Sequence, residues 1–139
     1  MTAGTQVLAT ALVTGASRGI GEAVVRTLRG RGMDVYALAL DDDDLRRVGS
    51  ETGAHVVPLD IREIRSLEEA IGGVSFDVVV NNAGVLPQLE PFPTNTAEAI
   101  DLLVDVNLRA ALHVTRMFAP RRSPRRPSAN ACSAAFVPA

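Results

Sequence analysis

The segment Thr14-Gly15-Ala16-Ser17-Arg18-Gly19-Ile20-Gly21 places its glycines at spacings of four and two residues, directly after an apolar run. Gly15 suits a tight turn, and Gly19 and Gly21 suit close approach of backbone to a pyrophosphate and to a neighbouring strand. A helix opening at Gly19 adds unpaired N–H donors and the positive end of its dipole. The chemistry on offer is anion binding, and a glycine run between a strand and a helix points to a dinucleotide. Other chemistry-bearing residues stand further on: Asp60 with Ile61, the run Asn81-Asn82-Ala83-Gly84, and Asn107 in Asp105-Val106-Asn107. Proton-transfer residues are scarce. The chain has no lysine and one tyrosine, Tyr36.

The elements that must position these residues follow from periodicity. Val7 to Val13 reads as a buried first strand ending at the glycine turn. From Gly19 to about Gly30, Ile20, Ala23, Val24, Thr27 and Leu28 recur at helical spacing, with Gly32 as a stop. Val35 to Leu40 is a second strand, and the aspartates 41–44 sit where the start of a second helix favours anions. His55 to Leu59 is a third strand, Ile64 to Ile71 a short helix, and Phe76 to Val80 a fourth strand. After a loop with Pro87, Pro91 and Pro93, Glu98 to Phe118 reads as one long helix with Ile100, Leu103, Val106, Ala110, Val114 and Met117 on one side. Alternation of strand and helix predicts an α/β fold, a Rossmann-like doubly wound parallel sheet. Right-handed crossovers give strand order 3-2-1-4, with a ligand at the switch point between strands 1 and 4.

Composition fits one domain of 139 residues with a Val/Ala/Leu/Ile core. No apolar run is long enough to span a membrane, and no secretory leader is legible. The lone Cys132 cannot form an internal disulfide, which makes the cytoplasm the default location. Charge is uneven. Residues 1–118 hold ten arginines and all sixteen acids, whereas residues 119–139 hold Arg121, Arg122, Arg125 and Arg126 and no acid. We therefore divide the chain into a dinucleotide-binding region, 1–118, and an Arg/Pro-rich tail, 119–139. Such an abrupt change in composition is what a shifted reading frame or a truncated gene would produce. Four arginines without an aromatic residue among them argue against specific nucleic-acid binding.

Taken together, the motifs resemble the short-chain dehydrogenase/reductase family, whose pattern is Thr-Gly-x-x-x-Gly-x-Gly. The resemblance runs over residues 7–118, about the first half of a usual family member. It implies an NAD(P)-dependent oxidoreductase moving hydride between nicotinamide C4 and a small carbonyl or alcohol substrate. It further implies cofactor contacts from Thr14, Gly15, Ser17, Arg18, Gly19, Ile20 and Gly21. Asp60 with Ile61 would hold the adenine amino group, and Asn81, Ala83 and Gly84 would steady the sheet beside the cofactor. Asn107 matches the family asparagine that orients a catalytic lysine through water, and Ser133 falls where the family places its catalytic serine. The family's Tyr-x-x-x-Lys pair has no counterpart here, which implies impaired catalysis; the alternative is a non-catalytic nucleotide-binding or interaction remnant. Asp41 to Asp44 would repel a ribose 2′-phosphate and Arg18 would attract one, a balance tilted towards NAD over NADP. A fourth strand with an unpaired edge and a long helix lacking its next neighbour imply self-association.

Overall fold

The computed structural model describes residues 9–86 and 91–118. Its core is a sheet of parallel strands, β1 (Thr10–Thr14), β2 (Asp34–Ala39), β3 (His55–Pro58) and β4 (Val78–Val80), in the order β3-β2-β1-β4. This is the expected order. Register is fixed by Leu12 opposite Tyr36 and Val79, and by Leu38 opposite Val57.

Alternation along the strands sends side chains into two separate core layers. Leu12, Leu38 and Val57 face one layer, which α3 (Ile64–Ile71) closes with Leu67 and Ile71. The long helical segment completes that layer with Val106, Ala110, Val114 and Phe118. Ala11, Val13, Val35 and Ala37 face the other layer, covered by Val25 of α1 (Gly19–Gly30) and by Leu45 and Val48 of α2 (Asp43–Thr52). Alanine at strand positions lets those helices approach closely. A Cβ at Gly49 of α2 would stand 2.5 Å from Val56 Cγ1, so this helix rests almost directly on β3.

Local chemistry explains the helix ends. Asp42 Oδ1 accepts from the Leu45 N–H at 2.7 Å and caps α2, and Gly53 closes it at φ 71°. An ion-pair network ties α1 to α2: Glu22 accepts from Arg26 at 2.8 Å and from Arg47 at 2.9 Å, and Arg26 also pairs with Glu51. Hydrogen bonds from Arg47 first and Arg26 second draw the pKa of the Glu22 carboxyl down to about 2.

Several boundaries differ from the sequence expectation. Within the described residues β1 begins at Thr10 rather than Val7, and Val7 and Leu8 lie outside them. Ladder pairing of β2 stops at Ala39, one residue before Leu40. Likewise β3 ends at Pro58, one residue before Leu59, whose N–H still donates to the Ala39 carbonyl at 2.9 Å. Phe76 does not enter β4; its ring turns into the core and meets Phe118 edge-to-face at 5.4 Å.

On α1, Gly21 and Val25 are the buried residues and Ile20 is 58% exposed. The apolar stripe is thus rotated by one position from the expected one. The long helix spans 97–118 but is not uniform: α4 (Ala97–Val104) and α5 (Ala111–Phe118) are separated by a π-helical stretch, Asp105–Ala110. Val106, Ala110 and Val114 are buried against the sheet, whereas Ile100 is exposed. The wet apolar residues on this helix include Leu108 and Leu112, one turn apart, rather than Val106, Ala110 and Val114.

Candidate functional site

At the carboxyl ends of β1 and β4 the chain departs in opposite directions, and a cleft of about 780 Å³ opens there. The glycine turn forms one wall. Gly15 has φ 64°, and a Cβ on it would meet Ala83 Cα at 2.8 Å. Gly21 is tighter still, because its Cβ would lie 2.0 Å from the Gly15 carbonyl oxygen. Gly19 is the opposite case, with φ 56° and, among the described residues, no atom within 4 Å of an added Cβ. The three glycines therefore do different jobs: Gly15 and Gly21 permit backbone to pack on backbone, and Gly19 leaves open space beside the cleft.

Two turns are sewn together behind this wall. The buried Thr14 hydroxyl donates to the Val80 carbonyl at 3.3 Å and accepts from the N–H groups of Asn82 and Ala83, each at 3.0 Å. Asn82 Nδ2 donates to the carbonyls of Thr14 at 3.2 Å and Gly15 at 3.1 Å. The Ala16 N–H donates to the Leu38 carbonyl at 3.1 Å, which docks the loop onto the end of β2. With the loop so held, the start of α1 faces the cleft. Its N-cap residue, Arg18, makes no side-chain capping hydrogen bond, so the first N–H groups of the helix are left to a ligand.

Across the cleft, Asp60, Ile61 and Arg62 follow β3. Arg62 grips both oxygens of Asp60, with contacts from 2.6 to 3.0 Å, and that hydrogen bonding holds the Asp60 carboxyl below its usual range. The third side is Leu40 and Asp42. Arg18 is 74% exposed in its side chain and reaches Asp42 Oδ2 at 3.4 Å. The floor is Ala83, Gly84 and Val85, backed by Val106 and Leu102 of the long helix.

Of the residues expected to touch a cofactor, Gly15, Ser17, Arg18, Gly19, Ile20, Asp60, Ile61, Ala83 and Gly84 line this cleft. Thr14 and Gly21 are buried behind it. Asn81 is not among the lining residues either; its Nδ2 donates to Thr115 Oγ1 at 2.9 Å. Ser133 lies outside the described residues. Asp42, read with its neighbours as opposing a ribose 2′-phosphate, lines the cleft, whereas sequence reasoning did not single out Asn82, Arg62, Val85 or Leu102. For Asn82 the signal was present in its motif, but nothing in spacing separates the turn-binding asparagine from its neighbour.

Asn107 does not reach into open space. Its Nδ2 donates to the Val85 carbonyl at 2.8 Å, and its Oδ1 accepts from the Val85 N–H at 2.7 Å. The side-chain amide thus acts like a piece of β-ladder joining the π-helical stretch to the cleft floor, with one Nδ2 hydrogen and one Oδ1 lone pair engaged by Val85. Asn107→Ala is expected to leave both Val85 groups unpaired and to cost about 2 kcal/mol. A urea titration would read this as a lower midpoint at unchanged slope, and an unchanged midpoint would count against the clamp.

The site fits a dinucleotide by its donors and its glycine geometry, and comparison with known proteins agrees. A family model described as short chain dehydrogenase matches residues 9–130. L-xylulose reductase of Bos taurus is 40% identical over 111 residues, which cover 78% of this chain and 45% of that protein. D-erythrulose reductase of Gallus gallus is 41% identical with the same coverage. Among solved structures, a metagenomic short-chain oxidoreductase in complex with NADP superposes with a TM-score of 0.74 at 36% identity, covering 80% of this chain and 55% of that one. A 3-ketoacyl-(acyl-carrier-protein) reductase from Brucella melitensis complexed with NADH gives 0.73 at 30% identity, covering 78% and 48%. The chain spans about half the length of the curated relatives it matches. With its strand order, its glycine turn and this match over most of its length, the chain belongs to the short-chain dehydrogenase/reductase family.

Proposed function

We propose that this chain binds a nicotinamide dinucleotide in the cleft at the β1–β4 switch point, in the setting of an oxidoreductase acting on a carbonyl or alcohol. The observation that carries the reading is the contrast among the glycines: Gly15 and Gly21 are filled by protein, while Gly19 opens onto the uncapped start of α1. There the N–H groups and helix dipole hold a pyrophosphate. Asp60 offers acceptors to the base, and Val85, fixed by Asn107, floors the cleft. When bound, the dinucleotide would exchange hydride at nicotinamide C4, giving it up in its reduced form and accepting it in its oxidised form. Positioning it is the task of Ala83, Gly84 and Val85, with Ser133 as the residue that would polarise the substrate carbonyl.

The form without a 2′-phosphate, NAD, is favoured over NADP. Arg18 is the cation placed to meet a 2′-phosphate, and Asp42 already engages it. Asp41 and Asp42 follow within three residues of the end of β2, and their charge opposes a further anion there. A second reading, a nucleotide-binding remnant without chemistry, is supported by the absence of lysine from the sequence.

NAD is expected to bind with a dissociation constant of roughly millimolar order, because the described contacts serve the adenosine and pyrophosphate half. An NMR titration should show shifts centred on residues 15–21 and 60–62, weaker shifts with NADP, and loss of both in Gly19→Val. That substitution costs about 1–2 kcal/mol of backbone strain at positive φ, and its Cβ meets no described atom within 4 Å. Micromolar affinity, or binding untouched by Gly19→Val, would refute the assignment.

Self-association belongs to the same proposal. Among the described residues β4 pairs on one side alone, with β1. Leu108 and Leu112, at 56% and 62% exposure, add an apolar ridge one helical turn long. Elution on size exclusion should shift earlier with concentration, and Leu108→Glu with Leu112→Lys should reduce the shift. A compact monomer across the whole concentration range would dispose of the idea.

A further inference from the structure

The Asp60 carboxylate is already largely occupied before any ligand arrives. Arg62 Nε lies 3.0 Å from both of its oxygens, Nη2 lies 2.6 Å from Oδ2, and the Arg62 main-chain N–H donates to Oδ1 at 2.9 Å. The turn that makes this possible is held from two directions. Ile61 between the two residues is buried in the core, and the Glu63 N–H donates to the Asp60 carbonyl at 2.9 Å. A carboxylate offers about four lone-pair sites; the three N–H groups of Arg62 make four contacts because the single Nε hydrogen is shared between both oxygens, which leaves room for about one further donor. A planar guanidinium fork also fixes the plane of the carboxylate it grips, which an ammonium does not. Both side chains line the cleft, with Arg62 the more exposed of the two.

We propose that Arg62 is a positioning residue for base recognition: by fixing the Asp60 carboxylate with one acceptor site unfilled, it selects a base carrying an exocyclic amino group over one carrying an oxo group. This rests on the dinucleotide reading above. An amino group donates into the remaining site. An oxo group at the same place sets oxygen against carboxylate oxygen. The lowered pKa of Asp60, caused first by the Arg62 hydrogen bonds, keeps that acceptor ionised at neutral pH and well below it. Without Arg62 the carboxylate is free to rotate and to take up water, and the distinction between the two bases fades.

The test compares NAD with nicotinamide hypoxanthine dinucleotide, in which an oxo group replaces the adenine amino group, by NMR titration of the full chain. Arg62→Gln and Arg62→Lys are the variants; the Arg62 side chain is 45% exposed, and circular dichroism melts check that each variant is folded. The wild-type chain should prefer NAD. In Arg62→Gln that preference should fall about five- to tenfold through weaker NAD binding, with the hypoxanthine ligand unaffected. Arg62→Lys, which keeps the charge and loses the fork, should recover part of the preference. Equal weakening of both ligands would make Arg62 merely structural and overturn the proposal. Tighter NAD binding in Arg62→Gln would show that Arg62 competes for Asp60, and overturns it as well. If neither dinucleotide binds the wild-type chain, the dinucleotide reading fails and this inference falls with it. Binding without preference in the wild type leaves that reading standing and sinks this inference alone.

Discussion

A purified preparation of this chain is expected to oxidise no secondary alcohol with NAD at a rate above background. General acid–base catalysis by a positioned side chain contributes about 10²–10⁴-fold, and the family's proton-transfer pair is a tyrosine with a lysine nearby. A tyrosine at its ordinary pKa of about 10 is a poor base at neutral pH, which is why the pair needs its cation. Here the sequence holds no lysine. Its one tyrosine, Tyr36, is in β2 with its ring stacked on His55 at 4.6 Å and edge-on to Phe76 at 5.3 Å. Tyr36 borders a hollow beside β3 and is not among the residues that line the dinucleotide cleft. Absorbance at the reduced-nicotinamide band is the measurement. Turnover proportional to protein, and unchanged in Tyr36→Phe, would show that another group carries the proton and that the expectation is wrong.

Gly21→Ala is expected to remove the cooperative unfolding transition, an effect much larger than the methyl group suggests. The added Cβ would lie 2.0 Å from the Gly15 carbonyl oxygen, 2.8 Å from its carbonyl carbon and 2.7 Å from Asn82 Nδ2. These are backbone atoms and a hydrogen-bonded amide, so nothing flexible can yield. Relief requires moving α1 away from the turn, which breaks the Thr14–Asn82 bonds at the same time. Overpacking costs about 1–3 kcal/mol in tolerant sites and more in rigid ones, against a typical net stability of about 5–15 kcal/mol. Gly19→Ala is the control: its Cβ meets no described atom within 4 Å, so it bears only the backbone strain of about 1–2 kcal/mol at positive φ. Equal melting curves for the two variants would contradict the packing argument.

Where the sequence was legible, a local signal decided the matter. The bounds of α1 and α3 coincide with the expected Gly19–Gly30 and Ile64–Ile71, because glycines close each of them. Strand order followed from alternation and handedness, which need no side-chain detail. Less legible were features set by distant partners. Phe76 looks like a strand residue, but its ring is taken by Phe118, forty-two residues away in sequence. The π-helical stretch at Asp105–Ala110 has no local cause in composition; the bond between Asn107 and Val85 that accompanies it is visible only in the fold. For the site, the glycines and Asp60 declared themselves by motif. Arg62 and Asn82 did not, since their partners are a carboxylate two residues back and a turn 67 residues away.

The seam between Thr14 and Asn82 also bears on the order in which the chain folds. Its hydrogen bonds close loops of 66 to 69 residues, whereas the β1–β2 ladder joins residues 24 apart. Loop-closure entropy and contact order favour the shorter pairing first, so β4 is expected to dock onto β1 after β1 and β2 have paired. Because the glycine turn is held by bonds to Asn82 and Ala83, the cleft is expected to be complete only after that closure. A nucleotide then acts as a ligand of the finished state alone. At ten times its dissociation constant it adds about 1.4 kcal/mol of stability by mass action, and it does so by slowing the undocking of β4 while leaving the docking rate unchanged.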